Sequence, residues 1–147
     1  MEVDLGLTAP PPDVARQARE LVAAGADGLF TFENAHDVFL PLALAACEVE
    51  ADLMTNVAMA FPRSPMHLAH TAYDLQLLSR GRFRLGLGSQ IRPHIERRYG
   101  ATWSRPVARM REAVLAIKAI FAAWEGEAPL DFRGEFTTHT LMTPAFD

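Results

Sequence analysis

The chain has 147 residues, of which 50% are hydrophobic and 22% are charged, so it is able to bury a core. It has no run of 18 apolar residues, and its first residues carry no basic-then-apolar signal pattern, so we expect a cytoplasmic protein without a membrane span. The net charge of −4 argues against a nucleic-acid partner, and the single cysteine, Cys47, excludes an intramolecular disulfide.

Four apolar runs, separated by segments with helical spacing, predict four strands. The runs cover residues 3–8, 28–32, 53–61 and 83–89, and their starts lie about 25 to 30 residues apart. This spacing fits a strand followed by a crossover helix. The sequence therefore predicts an α/β chain of βαβαβαβ order with parallel strands.

The first two helices have recognisable ends. Asp13 is placed to cap the first helix and Gly25 to close it. Asp37 is placed to cap the second helix, which is predicted over residues 38–49. This segment is apolar nearly all round, so we expect it to be well buried and Cys47 within it to be a structural thiol.

The third and fourth helices also carry terminal signals. Ser64 followed by Pro65 predicts the start of the third helix, Gly81 suits the left-handed residue that closes it, and Ser104 is the predicted cap of the fourth. Their apolar faces are predicted from spacings of three and four residues. These faces comprise Leu68, Ala72, Leu75 and Leu78 in the third helix, and Val107, Met110, Val114, Ile117, Phe121 and Trp124 in the fourth.

Positive charge is concentrated in one window. Nine of the fourteen lysine and arginine residues lie within residues 80–111, where Glu96 is the only acid. Arg92, Arg97 and Arg98 directly follow a Gly-Ser loop, so an anionic group lying there would meet guanidinium groups and backbone amides together. The alternative is a solvated basic surface.

Two segments carry a family resemblance: Thr-Asn-Val-Ala-Met-Ala-Phe-Pro-Arg-Ser-Pro at residues 55–65 and Gly-Arg-Phe-Arg-Leu-Gly-Leu-Gly-Ser at residues 81–89. They resemble the bacterial luciferase-like flavin and deazaflavin oxidoreductases, especially the coenzyme F420-dependent branch. The resemblance implies a (β/α) barrel of TIM-barrel type, which takes about 250 residues. With about four βα units, residues 1–147 are expected to be one domain, the N-terminal half barrel. Residues 128–147 would begin an insertion region, in which residues 131–136 resemble the family's short hairpin.

The resemblance implies site residues after the second and third strands. Glu33 is the expected contact to the polar edge of the cofactor ring. His36 is a candidate proton donor because imidazole titrates near neutrality, although a capping or surface role is the alternative. Asn56, Val57 and Ala58 are expected to back the ring, with a non-proline cis peptide at Asn56–Val57. An ordinary strand is the alternative for those three residues.

A further group of candidates follows the fourth strand. Gly88, Ser89 and Gln90 are expected to bind the cofactor, since small residues let a backbone approach a ligand without intervening side chains. His94 corresponds to a polar family residue that reaches the ring or substrate region, and a surface loop histidine is the alternative.

The resemblance implies hydride transfer between coenzyme F420 and a small-molecule substrate, with an FMN-dependent monooxygenase and a non-catalytic, self-associating half barrel as alternatives. A nicotinamide-binding doubly wound domain is disfavoured, because the Gly-Leu-Gly segment lacks a third glycine and does not follow the first strand. His67 and His70 have no third ligand at convincing spacing, so no metal site is expected. No role is assigned to His139. Open strand edges lead us to expect a homo-oligomer or pairing with a C-terminal half.

Overall fold

The computed structural model describes residues 1–143, and these residues form strands and helices in alternation. A short 3₁₀ turn lies at Pro11–Asp13, and a π-helical turn spans His94–Arg98. The α-helices are α1 (Val14–Ala23), α2 (Leu40–Ala46), α3 (Pro65–Leu78) and α4 (Pro106–Trp124). The strands are β1 (Asp4–Gly6), β2 (Gly28–Thr31), β3 (Asp52–Thr55), β4 (Ala58–Met59), β5 (Phe83–Arg84), β6 (Leu87–Gly88), β7 (Phe132–Arg133) and β8 (Thr138–His139).

A parallel four-stranded sheet forms in the order β1-β2-β3-β5. Its register places Leu5, Leu29, Leu53 and Phe83 in one row across the four strands. Leu29 and Leu53 are fully buried, because apolar side chains at matching positions of neighbouring strands pack on the same face. The predicted α/β architecture with parallel strands is confirmed.

The contacts divide the described residues into two compact units. The first unit contains residues 1–58 and 71–88, and the second contains residues 59–70 and 89–143. The single domain expected over residues 1–147 stays a prediction, and residues 144–147 lie outside the described part of the chain.

The first unit is built around the sheet, with α1 packed on α2 and α2 packed on β2 and β3. Gly25 has φ +100°, as expected of a left-handed residue that closes α1. The prediction of a well-buried second helix is wrong in part, because Leu40 and Leu44 are exposed and so is Cys47. The buried side chains of this unit include Val14, Ala18, Leu29, Val38, Leu42, Ala45, Leu53, Leu75 and Phe83.

The third and fourth predicted strands are each broken in two. The run at 53–61 divides into β3 and β4, and the run at 83–89 divides into β5 and β6. Within the run at 83–89, only Phe83 is buried, and Arg84 is exposed. The breaks fall at Asn56–Val57 and at Leu85–Gly86, where asparagine and glycine are residues that strands disfavour.

Two predicted caps are confirmed. One carboxylate oxygen of Asp37 accepts from the backbone N–H of both Phe39 and Leu40 at 2.8 Å, ahead of α2, which begins two residues later than predicted. The hydroxyl of Ser64 accepts from the His67 N–H at 3.2 Å at the start of α3.

The other two predicted caps are wrong. Asp13 makes no capping hydrogen bond, because its carboxylate pairs instead with Arg16 at 3.2 Å. Ser104 accepts from Nε of Arg109 at 2.9 Å, and the residue preceding α4 is Arg105 in a left-handed conformation at φ 41°.

The second unit combines α4 with an antiparallel hairpin of β7 and β8. The hairpin overlaps residues 131–136, which resemble the family's short hairpin, and the start of an insertion region there stays a prediction. The buried positions of α4 are Ala116, Ile117 and Ile120, while Val107 is 83% exposed and does not belong to a packed face as predicted. No helix among residues 1–143 combines the length and the apolar character that a membrane crossing requires.

Candidate functional site

The loops that follow β2 and β3 lie side by side at the carboxyl edge of the first unit's sheet. The backbone carbonyl of Thr31 accepts from the N–H of Asn56 at 2.7 Å, which joins the ends of the two strands. Phe32, directly after β2, is 39% exposed, and Glu33 beside it is half-buried. An aromatic side chain, a carboxylate and an amide therefore emerge from adjacent strand ends.

The predicted peptide conformation at Asn56–Val57 is confirmed: the bond is cis. Asn56 and Val57 are exposed at the strand end, with 37% of Val57 accessible. Ala58 differs, because it is fully buried and its N–H donates to the carbonyl of Gly86 at 2.9 Å. The expected position of Ala58 behind the ring stays a prediction, with the side chain of Ala58 itself buried.

Thr55, which sequence reasoning missed, connects the end of β3 to the break between β5 and β6. Its hydroxyl donates to the carbonyl of Gly86 at 2.7 Å and accepts from the Gly86 N–H at 2.9 Å. Thr55 is 2% exposed, so this hydroxyl has the backbone of Gly86 as its partner in place of water. The only signal for this role in the sequence was a hydroxyl side chain within a mostly apolar run.

Gly86 and Gly88 are explained by packing within the first unit. A Cβ at Gly86 would lie 2.0 Å from the carbonyl oxygen of Thr55, and one at Gly88 would lie 2.5 Å from Cγ2 of Val57. These separations are far below van der Waals contact. The expected role of Gly88 in cofactor binding stays a prediction, and Gly88, which is half-buried, keeps some accessible surface.

His36 lies in the β2–α2 loop and is exposed. Together with Asn34 and Asp37 it borders a cavity of about 110 Å³ between the loops after β1 and β2. The carboxylate of Asp37 is engaged in capping α2, as described above. His36 is thus an exposed imidazole in this loop, available to a group bound in the cavity.

Ser89, Gln90 and His94 belong to the second unit and follow β6. Ser89 and Gln90 are half-buried, and Gln90 has φ 59°, a left-handed conformation that is uncommon for a residue with a side chain. The side-chain oxygen of Gln90 accepts from the N–H of Ile91 at 3.0 Å. His94 is exposed at the start of the π-helical turn.

The positive window at 80–111 is less available to an external anion than its composition predicts. At least four of its nine arginines already pair with carboxylates. Glu50, Asp52 and Glu135, three of their partners, lie outside the window, so counting acids within it overestimated the positive charge. The pairs are Arg80–Glu50 at 3.3 Å, Arg84–Asp52 at 2.5 Å, Arg92–Glu96 at 2.9 Å, and Arg105–Glu135.

Glu112 on α4 holds the turn of the β7–β8 hairpin. Its carboxylate accepts from the backbone N–H groups of Glu135, Phe136 and Thr137 at 2.7, 2.8 and 2.7 Å. Burial by itself would raise the pKa of Glu112, but these backbone hydrogen bonds favour the ionised carboxylate and leave its pKa below the ordinary value. The Glu112 carboxylate thus stabilises the fold of the second unit.

Two other histidines have structural surroundings. His139 lies on β8, where its ring is 6.4 Å from that of Phe132 and burial lowers its pKa. The His70 ring packs 4.7 Å from the ring of Trp124, and His67 is exposed on α3. Residues 1–143 contain no group of three side chains suited to hold a metal ion.

Comparison with known proteins places the chain in a family. The model of the luciferase-like monooxygenase family matches residues 2–146, and the chain belongs to that family. An uncharacterized protein of Mycobacterium tuberculosis is 51% identical over 92% of this chain and 41% of its own length. A second M. tuberculosis protein, named as a coenzyme F420-dependent oxidoreductase, is 32% identical over 85% of this chain and 36% of its own length. The chain thus spans about two fifths of the length of these relatives.

Solved structures share the fold. A monooxygenase from Streptomyces bottropensis has a TM-score of 0.81 at 21% identity, with 96% of this chain and 48% of that chain covered. The FMN complex of the oxygenating constituent of 3,6-diketocamphane monooxygenase from Pseudomonas putida has a TM-score of 0.77 at 18% identity, covering 99% of this chain and 46% of that one. The coenzyme F420-dependent tetrahydromethanopterin reductase of Methanopyrus kandleri has a TM-score of 0.70 at 18% identity, covering 94% and 43%. The predicted fold class, about half of a TIM-type barrel, is confirmed.

Proposed function

We propose that this chain is the cofactor-binding N-terminal half of a coenzyme F420-dependent oxidoreductase acting on a small organic substrate. The observation that carries the proposal is the 32% identity, over 85% of the chain, to a protein named as a coenzyme F420-dependent oxidoreductase. When bound, the deazaflavin would supply the chemistry by accepting or donating hydride at its C5 atom. The protein's contribution is to bind and orient the ring and to handle protons.

The carboxyl edge of the sheet has the side chains that a flat, partly polar ring requires. Val57 and Phe32 expose apolar surface for a ring face, and they adjoin the paired strand ends at Thr31 and Asn56. The Asn56 amide can donate to a ring carbonyl, and the Glu33 carboxylate can accept from a ring N–H. The residues present therefore fit an isoalloxazine-type ring.

The proposed roles of the remaining candidates follow from their side chains. His36 and His94 each present an exposed imidazole, whose nitrogens can donate a proton to or accept one from a bound group. Ser89 and Gln90 offer a hydroxyl and an amide to polar groups of a cofactor. Each role is proposed separately, His36 in the first unit and His94, Ser89 and Gln90 in the second.

FMN-dependent monooxygenation is the second candidate function. It is favoured by the likeness over 99% of the chain to a monooxygenase constituent in complex with FMN, at a TM-score of 0.77. The phosphate and glutamyl tail of F420 are more anionic than FMN, so a basic surface would favour F420. Four arginines of the window at 80–111 are paired with carboxylates, which weakens this support for F420. The choice of F420 therefore rests on the similar sequence more than on charge.

A fluorescence titration of the chain with F420 and with FMN tests the proposal. We expect F420 to bind at least about tenfold more tightly than FMN, and Glu33→Ala and His94→Ala to weaken that binding. Glu127→Ala and His67→Ala remove the same functional groups from other exposed positions and serve as matched controls. Submicromolar binding that neither site substitution changes would contradict the site. Tighter binding of FMN would support the second candidate.

Turnover by the 147-residue chain alone is expected to be slight. A ring held from one side loses the positioning on which the reaction depends, and a misplacement of about 1 Å can cost on the order of 100-fold in rate. Rapid turnover of substrate by the isolated chain would contradict this expectation.

The partner of this half is proposed from the edges of its sheet. In the order β1-β2-β3-β5, β1 and β5 each have one sheet neighbour among the described residues, so each leaves backbone groups available for a further strand. We propose that a second copy of the chain or a C-terminal half covers these edges. A self-associated half barrel that binds no cofactor is the corresponding non-catalytic alternative.

A further inference from the structure

The parallel ladder between β3 and β5 ends one residue before Thr55. Leu53 pairs with Phe83 and Met54 pairs with Arg84, and no further pair continues the ladder. In its place the Thr55 hydroxyl bonds both the carbonyl and the N–H of Gly86, at 2.7 and 2.9 Å. The buried side chain of Thr55 thus takes the place of backbone pairing directly after the end of the β3–β5 ladder.

The contacts of Gly86 constrain the chain both before and after the exposed residue Val57. The carbonyl of Gly86 accepts from Thr55 on one side and from the N–H of Ala58 on the other, at 2.9 Å in the latter case. Gly88 lies so close that a Cβ there would be 2.5 Å from Cγ2 of Val57. Displacement of Gly86 would therefore move Ala58 and Val57 relative to Gly88.

We propose that Thr55 is a positioning residue of the cofactor surface: through both backbone groups of Gly86 it holds Val57 and Gly88 where a ring would lie. The inference rests on the proposed function for the ring, but the hydrogen-bond arrangement itself can be tested without cofactor. This role requires no contact between the Thr55 hydroxyl and the ring, because the hydroxyl acts through the backbone of Gly86.

Thr31 provides a matched control within the same sheet. It is the register partner of Thr55 on β2, it is 3% exposed, and its hydroxyl donates to the carbonyl of Val38 at 2.6 Å. Thr31→Val and Thr55→Val therefore each remove one buried hydroxyl from neighbouring positions. Only Thr55→Val removes the contact with Gly86, and Thr55→Ser retains a hydroxyl there.

The experiment measures backbone amide exchange by NMR in the ¹⁵N-labelled 147-residue chain, together with F420 and FMN affinity by fluorescence. In Thr55→Val we expect the Gly86 amide to exchange at least tenfold faster, the Val57 and Gly88 amide resonances to shift, and the cofactor dissociation constant to rise at least tenfold. Thr55→Ser should stay within about threefold of the unmodified chain in both measurements. Thr31→Val should change the exchange rate of the Gly86 amide by no more than about twofold.

Equal acceleration of Gly86 amide exchange in Thr55→Val and Thr31→Val would overturn the proposal, because it would show a general structural effect. Unchanged Gly86 exchange in Thr55→Val would also overturn it. If the unmodified chain binds neither cofactor, the proposed function fails, while the exchange rate and the resonance shifts still decide whether Thr55 positions Val57 and Gly88. If Thr55→Val does not fold, the unmodified chain provides the test: an unprotected Gly86 amide would refute the arrangement.

Discussion

Replacing Glu112 by alanine should detach the hairpin turn from α4. The carboxylate accepts from three consecutive backbone N–H groups at 2.7, 2.8 and 2.7 Å and from the hydroxyl of Thr137 at 3.2 Å. Each hydrogen bond to a charged group contributes about 1.5–3 kcal/mol when its partner is left buried, but the amide of exposed Glu135 regains water. We therefore expect Glu112→Ala to lower the free energy of unfolding by about 2–4 kcal/mol.

Glu112→Gln should cost less and should change the pH dependence. Glutamine keeps one oxygen for two of the three amides but turns an NH₂ donor toward the third. Because backbone hydrogen bonds lower the pKa of Glu112 in the fold, its stabilisation is fully present above the unfolded pKa of about 4.3. It is lost as the pH falls through the lower folded pKa. The stability difference between the unmodified chain and Glu112→Gln should therefore shrink as the pH falls below about 4.

Denaturant unfolding and amide exchange measure the global and the local parts of this effect. The amides of Glu135, Phe136 and Thr137 should exchange at least tenfold faster in Glu112→Ala. Glu125→Gln, at an exposed position just after the same helix, should leave both measurements unchanged. Unaltered exchange at residues 135–137 in Glu112→Ala would refute the assignment of the carboxylate as the anchor of the turn.

Two other predictions concern the sheet and its edges. Gly86→Ala places a Cβ 2.0 Å from the Thr55 carbonyl oxygen and should cost about 2–3 kcal/mol or more, measured by denaturant unfolding. Gly6→Ala meets the Phe30 ring at an ordinary 3.5 Å and should cost about 1 kcal/mol or less, so equal losses would contradict the argument. Light scattering should find the purified 16.2 kDa chain self-associated, and a compact monomer with a single cooperative unfolding transition would contradict the proposed covering of the edges of β1 and β5.

The parts of the fold that follow from local sequence were predictable. The order of strands and helices follows from apolar runs at regular spacing, and the starts of α2 and α3 follow from Asp37 and from Ser64 with Pro65. Gly25 could be assigned because a left-handed residue that closes a helix favours glycine. In each case the residue and the backbone group that it serves lie within a few positions of one another.

The predictions that failed depend on partners far away in the chain or on competition between neighbours. Asp13 is an acceptable cap by residue type, but Arg16 competes for its carboxylate. The positive window lost its apparent charge because Arg80 and Arg84 pair with carboxylates about 30 residues earlier. An exposed ion pair contributes only about 0–1 kcal/mol. The sequence around Asp13, Arg80 or Arg84 therefore does not show which partner each side chain takes.

The break at Thr55 shows why the candidate site was the hardest part to predict. The run from 53 to 61 is apolar apart from Thr55 and Asn56, and the Thr55 hydroxyl at its interruption bonds Gly86, 31 positions away. Gly88 is expected to bind the cofactor, but a Cβ at Gly86 would lie 2.0 Å from the Thr55 carbonyl oxygen and one at Gly88 would lie 2.5 Å from Cγ2 of Val57. A glycine at a strand end therefore has two possible causes, the approach of a ligand and the approach of other parts of the same chain. Close contacts within the chain are a sufficient cause at both Gly86 and Gly88.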